Sequence, residues 1–213
     1  MPTTFRKAAG SRISAGRERT LVNTAREIFI EKGVGATTID EIARRARMSK
    51  TTIYRRYDNK QALLEAVINE EATVIAASLQ NYELDTNAPT ESLRKAADAI
   101  YEVATTRRNI EVRRLMVAQA RRYPGLCENA RKKLAEATAG RLVPFLEALM
   151  KKGLMRKLDA RKAATTFALV VSGGMRPLFI NELDPQEEQR QMKLDMELFL
   201  AGWRIRESES EID

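Results

Sequence analysis

Thr38 and Ser49 lie eleven residues apart, and each opens a helix. Thr38-x-x-Glu41 reads as a capping box, with Ile39, Ile42, Ala43 and Ala46 forming an apolar stripe behind it. Ser49 is a second N-cap, with Met48 before it and Ile53 placed to complete a hydrophobic staple. The spacing predicts a helix over 39–46, a tight turn through Arg47 and Met48, and a second helix over 50–57. Two short helices joined this closely describe a helix-turn-helix, whose second helix is the one that enters a DNA major groove.

The rest of the chain reads as helix as well. Leu21, Val22, Ala25, Ile28 and Phe29 recur at helical spacing over 17–33, and Gly33 stops that segment. Asp58-Asn59 separates residue 57 from a longer amphipathic helix that opens at Lys60 and carries Leu63, Leu64, Val67 and Ile68. Beyond Asn87-Ala88-Pro89, helices are expected over 90–106, 110–122 and 126–152, the last kinked at Pro144, then over 160–181 and 187–204. No strand, internal repeat or low-complexity tract stands out. The fold class is therefore all-α: residues 1–16 as a disordered basic arm, 17–62 as a DNA-binding domain, 63–205 as a helical body and 206–213 as a polar tail.

Charge agrees with this division. Residues 1–60 hold 14 Lys/Arg against 6 Asp/Glu, while the remaining 153 residues hold 23 of each. All of the net charge of +8 thus sits beside the helix-turn-helix, the footprint of a module that docks on a polyanion. Histidine is absent and Cys127 is the only cysteine, which excludes an intramolecular disulfide, a Cys/His zinc site and His-based catalysis. No metal, cofactor or enzymatic activity is expected. No run approaches the roughly 20 apolar residues of a membrane span, and MPTTFRKAAGSRIS lacks a continuous apolar core, so the expected location is the cytoplasm.

Within 50–57, Ile53 must face the core, which leaves Lys50, Thr51, Thr52, Tyr54, Arg55 and Arg56 mostly outward. Arg and Lys can donate to guanine or phosphate, Thr can meet a thymine methyl, and Tyr can reach a phosphate oxygen. Ser49 lies where helix N–H groups favour a phosphate. Tyr57, one turn from Ile53, is either buried or a DNA contact.

Over about 65 residues the chain resembles the N-terminal domain of TetR-type transcriptional regulators. The resemblance rests on Gly33, Thr37-Thr38, Ile42-Ala43, Ala46-Arg47-Met48-Ser49, Thr52-Ile53-Tyr54, Tyr57, Lys60 and Leu63. It implies that Thr37 or Thr38, Lys50, Thr51, Thr52, Tyr54, Arg55, Arg56 and Lys60 line DNA, with Lys60 on a phosphate. Arg47 stands where the pattern often has glycine, at a cost if its φ is positive. Arg55-Arg56 replaces the aromatic or histidine often found there, so sequence preference is expected to reside in that pair. Arg6, Lys7 and Arg12 are either a loose tail or a minor-groove contact.

For residues 63–205 the resemblance implies ligand binding and dimerisation. The apolar segment 163–175 presents more than one hydrophobic face, so a second copy can cover one of them. Phe167, Val171, Gly174, Phe199 and Trp203 are the candidate dimer residues. Gly173-Gly174 reads either as a close backbone approach across the dimer or as a local break before Arg176-Pro177. Tyr101, Met116, Tyr123, Phe145, Phe167 and Met175 either line an effector cavity or are plain core. Arg113-Arg114 and Arg121-Arg122 either counter an anionic effector or face water. The expected function is a homodimeric, ligand-responsive repressor on a palindromic operator in double-stranded DNA, with no membrane partner. The alternative is a constitutive or architectural DNA-binding dimer without an effector.

Overall fold

The computed structural model describes residues 14–79, 82–179 and 184–206, so residues 1–13 of the predicted arm and all but the first residue of the predicted tail lie outside the described residues, while the arm's last three residues are not disordered but cap and open the first helix. Eleven helices and no strand occur among them: α1 (Ala15–Ala36), α2 (Ile39–Arg45), α3 (Lys50–Arg56), α4 (Lys60–Ser78), α5 (Pro89–Ala104), α6 (Arg107–Gln119), α7 (Pro124–Ala139), α8 (Leu142–Lys151), α9 (Ala160–Val171), α10 (Arg176–Phe179) and α11 (Pro185–Trp203). The chain divides into two compact units, Met1–Val67 and Ile68–Asp213.

In the first unit, Ser14 caps α1 by accepting the Arg17 N–H, and the helical stripe Leu21, Ala25, Ile28 and Phe29 is wholly buried. Gly33 kinks the helix with φ 77° and ψ 157°, a conformation essentially reserved for glycine. The regular helix stops there, as predicted, and only a short helical turn over Val34–Ala36 follows, with Val34 buried in the core. Ile42, Ile53, Leu63, Leu64 and Val67 complete that core with the buried edges of Met48 and Tyr57.

The second unit is built on a core of Leu93, Ala97, Ile100, Leu142, Leu146, Leu149, Ala164 and Phe167. Phe167 meets Phe199 edge-on at 5.2 Å and Trp203 at 5.7 Å, joining α9 to α11 through an aromatic trio. Each such pair adds about 0.5–1.5 kcal/mol beyond its buried area.

Three expected boundaries shift. The helix predicted over 126–152 is two helices, broken at Gly140-Arg141 and not kinked at Pro144. Pro144 falls in the first turn of α8, where a missing N–H removes no intrahelical bond. Arg107, Arg108 and Asn109, which fall between the helices expected over 90–106 and 110–122, are the first turn of α6, because Thr106 caps it by accepting the Asn109 N–H at 3.3 Å. Gly173-Gly174 is the local break: both glycines have positive φ, 78° and 56°, and α10 begins at Arg176. No helix among the described residues is long and apolar enough to cross a membrane.

Candidate nucleic-acid interface

The interface is built on the turn between α2 and α3. Thr38 caps α2 as predicted, accepting the Glu41 N–H at 3.2 Å, while the Glu41 carboxylate reaches across to Lys32 Nζ at 2.5 Å. At the other end the Met48 N–H donates to the Ala43 carbonyl at 2.9 Å and the Arg47 N–H to the Arg44 carbonyl at 3.3 Å. This closure requires a left-handed residue at its centre, and Arg47 supplies it with φ 52°. Arg47 is exposed in that conformation and forms no ion pair among the described residues.

Ser49 then caps α3. Its Oγ accepts the Thr52 N–H at 3.1 Å and lies 2.7 Å from Thr52 Oγ1, so the hydroxyl fixes the entry of the helix. Ile53, 0% exposed, anchors the inner face. Thr51, Tyr54 and Arg55 stand outward, with Tyr54 49% exposed, and Thr52 is half-buried. Lys50 is exposed and pairs with Asp40 at 3.0 Å. Both partners are well over half exposed, so the pair holds the ammonium loosely.

Four predicted contacts prove to have work inside the fold. Thr37 is 1% exposed and its hydroxyl donates to the Gly33 carbonyl at 2.8 Å, so its side chain closes the α1–α2 loop and presents nothing to a partner. Tyr57 is 8% exposed; its hydroxyl donates to Glu18 Oε1 at 2.9 Å, and Arg56 Nε donates to the same oxygen at 2.8 Å. Glu18 thus ties the end of α3 to the start of α1 and raises the Arg56 pKa through that hydrogen bond. Lys60 Nζ donates to the carbonyls of Thr37 at 2.6 Å and Gly35 at 3.1 Å, binding the first residue of α4 to the α1–α2 loop. Sequence reasoning missed Glu18 altogether, since nothing local marks a partner 38 residues away. In the sequence Arg44 counts only in the charge balance, and Arg47 is read for its backbone and not as a cation, yet both are exposed beside the turn.

The arrangement is a short helix held from behind by Ile53, Met48 and Tyr57, with threonine, tyrosine and arginine groups in front and further cations at its flanks. That combination of base-edge donors and phosphate-seeking charge fits a DNA groove.

The other predicted sites lie in the second unit. Phe145 and Phe167 are packed core and do not border the described cavity of this unit. Tyr101 and Met175 do line that cavity, of about 390 Å³, while Met116 and Tyr123 are half-buried and do not border it. Of the candidate dimer residues, Phe167, Val171 and Trp203 are buried in the chain's own core and have no face left for a partner. Gly174 and Phe199 are half-buried. The large apolar side chains that remain exposed on α9 and α11 are Leu169, Leu194 and Leu198, with Met175 and Phe179 in and beyond the turn after α9. Arg113 and Arg114 face inward: Arg113 Nη2 donates to the Gly174 carbonyl, and Arg114 donates to Pro177 and Leu178 carbonyls at 3.1 Å each. Arg121 and Arg122 face water.

Two family models match. Residues 21–67 match the bacterial regulatory proteins of the tetR family, and residues 91–204 match the C-terminal domain of AefR-like transcriptional repressors. A helix-turn-helix-type transcriptional regulator of Bacillus subtilis, YvkB, is 25% identical over 156 residues, which is 72% of this chain and 78% of that one. The TetC protein of transposon Tn10 in Escherichia coli is 41% identical over 59 residues, 28% of this chain and 30% of that one. Among solved structures, a TetR-family regulator of Mesorhizobium loti superposes with TM-score 0.72 at 25% identity, covering 91% of this chain and 99% of the other. The flavonoid-responsive regulator FrrA superposes with TM-score 0.73 at 26% identity, covering 88% and 96%.

Proposed function

The chain belongs to the tetR family of bacterial regulatory proteins, and from that premise we propose that it is a ligand-responsive repressor that binds a palindromic operator as a homodimer. Regulators of this family are non-enzymatic transcription factors that bind DNA and act as dimers. The operator, the seam and the response to an effector are the finer reading. The single observation that carries the DNA reading is the outward face of α3, where Thr51, Tyr54 and Arg55 project from a helix whose other side is pinned by Ile53.

In this reading Tyr54 and Arg55 contact bases or phosphates in the major groove, Thr38 and Lys50 contact the backbone beside it, and Arg44 and Arg47 add phosphate contacts at the turn. Arg56, Tyr57 and Thr37 act indirectly by holding the helix in place. Lys60, which opens α4 beside the α1–α2 loop, is placed on a phosphate by the family resemblance. The seam is formed by Leu169, Leu194 and Leu198. Burying them against a second copy favours association, and two-fold symmetry then demands an inverted-repeat site with half-sites about 34 Å apart or a multiple of that.

Response to an effector would work by population shift. A ligand that prefers a helix spacing unable to fit successive grooves weakens operator binding by its ratio of affinities for the two states; a ten-fold loss needs about 1.4 kcal/mol. FrrA, described as flavonoid-responsive, lends precedent for a small-molecule response. α4 is the covalent route, since it begins at Lys60 in one unit and ends at Ser78 in the other. An insertion near Asn69 that breaks α4 should abolish induction, and induction that survives it would refute this route.

The DNA reading is tested by mobility shift with Tyr54→Ala and Arg55→Ala. Each should weaken operator binding at least ten-fold, about 1.4 kcal/mol or more, while the dimer persists in sedimentation. If either variant instead dissociates the dimer, the residue is structural and the assignment fails.

A further inference from the structure

The cavity of about 390 Å³ in the second unit lies between α5, the C-terminal end of α9 with its glycine turn, and the first turns of α11. Its volume falls within the range of small-molecule sites. At one end stands Glu188, 3% exposed. Tyr101 donates its hydroxyl to Glu188 Oε2 at 3.4 Å, and burial together with the neighbouring carboxylate pushes the phenol pKa up, so Tyr101 stays a donor. Arg176 Nη2 lies 2.8 Å from Glu188 Oε1, near enough for attraction but out of line for a hydrogen bond. Oε1 therefore has no hydrogen-bond donor in the described structure.

Asp195 also borders the cavity, so two carboxylates face one guanidinium there. Arg113 approaches from outside the lining, its Nη2 held by the Gly174 carbonyl and its Nη1 buried with no hydrogen-bond partner. The remaining wall is apolar and adaptable, formed by Val170, Met175 and Met192. Gly173 belongs to this architecture: a Cβ there would sit 3.1 Å from the Pro177 ring and 3.8 Å from Glu188 Oε2.

We propose that this cavity binds a small organic cation, a protonated amine on an apolar body, with its N–H donating to Glu188 Oε1 and its body against the methionines. The proposal rests on the effector reading above and gives the effector a chemistry. A cation fits because it supplies a donor in line with Oε1, where Arg176 is close but out of line, and because the lining itself holds two carboxylates to one guanidinium. An anionic ligand would gain Arg176 only by displacing it from Glu188 and would lie against Asp195.

The test is calorimetric titration of the full chain, without DNA, with phenylethylamine, tryptamine and octylamine, each beside its alcohol and carboxylate counterparts. At least one amine should bind with a Kd of about 1 mM or below and about ten-fold more tightly than its alcohol. Glu188→Gln keeps the shape and should weaken that amine about ten-fold. Asp195→Asn should weaken it by less, and circular dichroism should show both variants folded. The proposal is overturned if no amine binds, if alcohol and amine bind alike, if a carboxylate binds best, or if both folded variants bind the amine as the parent does. Adding the bound amine to an operator complex then separates the two ideas: binding without release keeps the site and refutes its effector role.

Discussion

Replacing Arg47 by glycine should stabilise the DNA-binding unit. Four helix ends among the described residues share one closure, in which a left-handed residue lets the next N–H reach back five residues: at Arg47, Gly153, Gly173 and Arg204. Two use glycine, with φ 73° and 78°, and two force arginine into φ 52° and 53°. The left-handed conformation costs a residue with a Cβ about 1–2 kcal/mol. Glycine escapes that cost but loses about 0.5–1 kcal/mol more conformational freedom on folding. The net gain for Arg47→Gly is therefore about 0.5–1 kcal/mol, since the exposed side chain takes no ion pair with it. For a unit of this size that is a rise of about 2–8 °C in midpoint. Circular dichroism follows the helices of both units, whereas the single tryptophan, Trp203, reports on the second unit alone. The ellipticity transition should move up, and Arg47→Ala, which keeps the Cβ, should not reproduce the gain. Equal shifts in the two variants, or a lower midpoint for Arg47→Gly, would refute the backbone argument and point to the lost charge.

Other consequences follow from buried pairs and exposed leucines. Glu71 is 1% exposed on α4 and takes both Nε and Nη2 of Arg108 on α6, at 2.7–3.0 Å; Arg108→Ala should cost about 2–3 kcal/mol, below the value for a fully buried pair because the guanidinium is partly solvated, and a loss under about 0.5 kcal/mol in denaturant titration would contradict this. Leu198→Glu should turn the dimer into a folded monomer in sedimentation, and a persistent dimer would move the seam elsewhere. Cys127 is buried and donates to the Met116 carbonyl, and burial raises its thiol pKa, so a thiol reagent should react far more slowly with the folded than with the unfolded chain. Equal rates would show the site to be open.

How much could be read beforehand depended on whether the cause was local. Thr38, Ser49 and the staple residues announce the helix-turn-helix because a cap and its helix occupy one short window, and the structure carries both caps. Thr106 is an equally local cap, yet the apolar stripe of the preceding helix runs up to it and hides the boundary. The Glu18 bonds to Arg56 and Tyr57 join positions 38 and 39 residues apart, which no periodicity records. Periodicity also shows that a helix has two apolar faces without saying which one turns inward. Phe167 and Trp203 therefore looked as suited to a dimer seam as Leu169 and Leu198, until packing placed the aromatics in the core.

The central claim, a symmetric dimer reading a specific site through α3, is tested most directly by selecting bound sequences from random duplex DNA. The account predicts an enriched inverted repeat whose half-site centres are about 10 base pairs or a multiple apart. On that site, with about eight phosphates neutralised, affinity should fall with salt at a log–log slope near −7. No enriched palindrome, or a slope flatter than about −3, would contradict it.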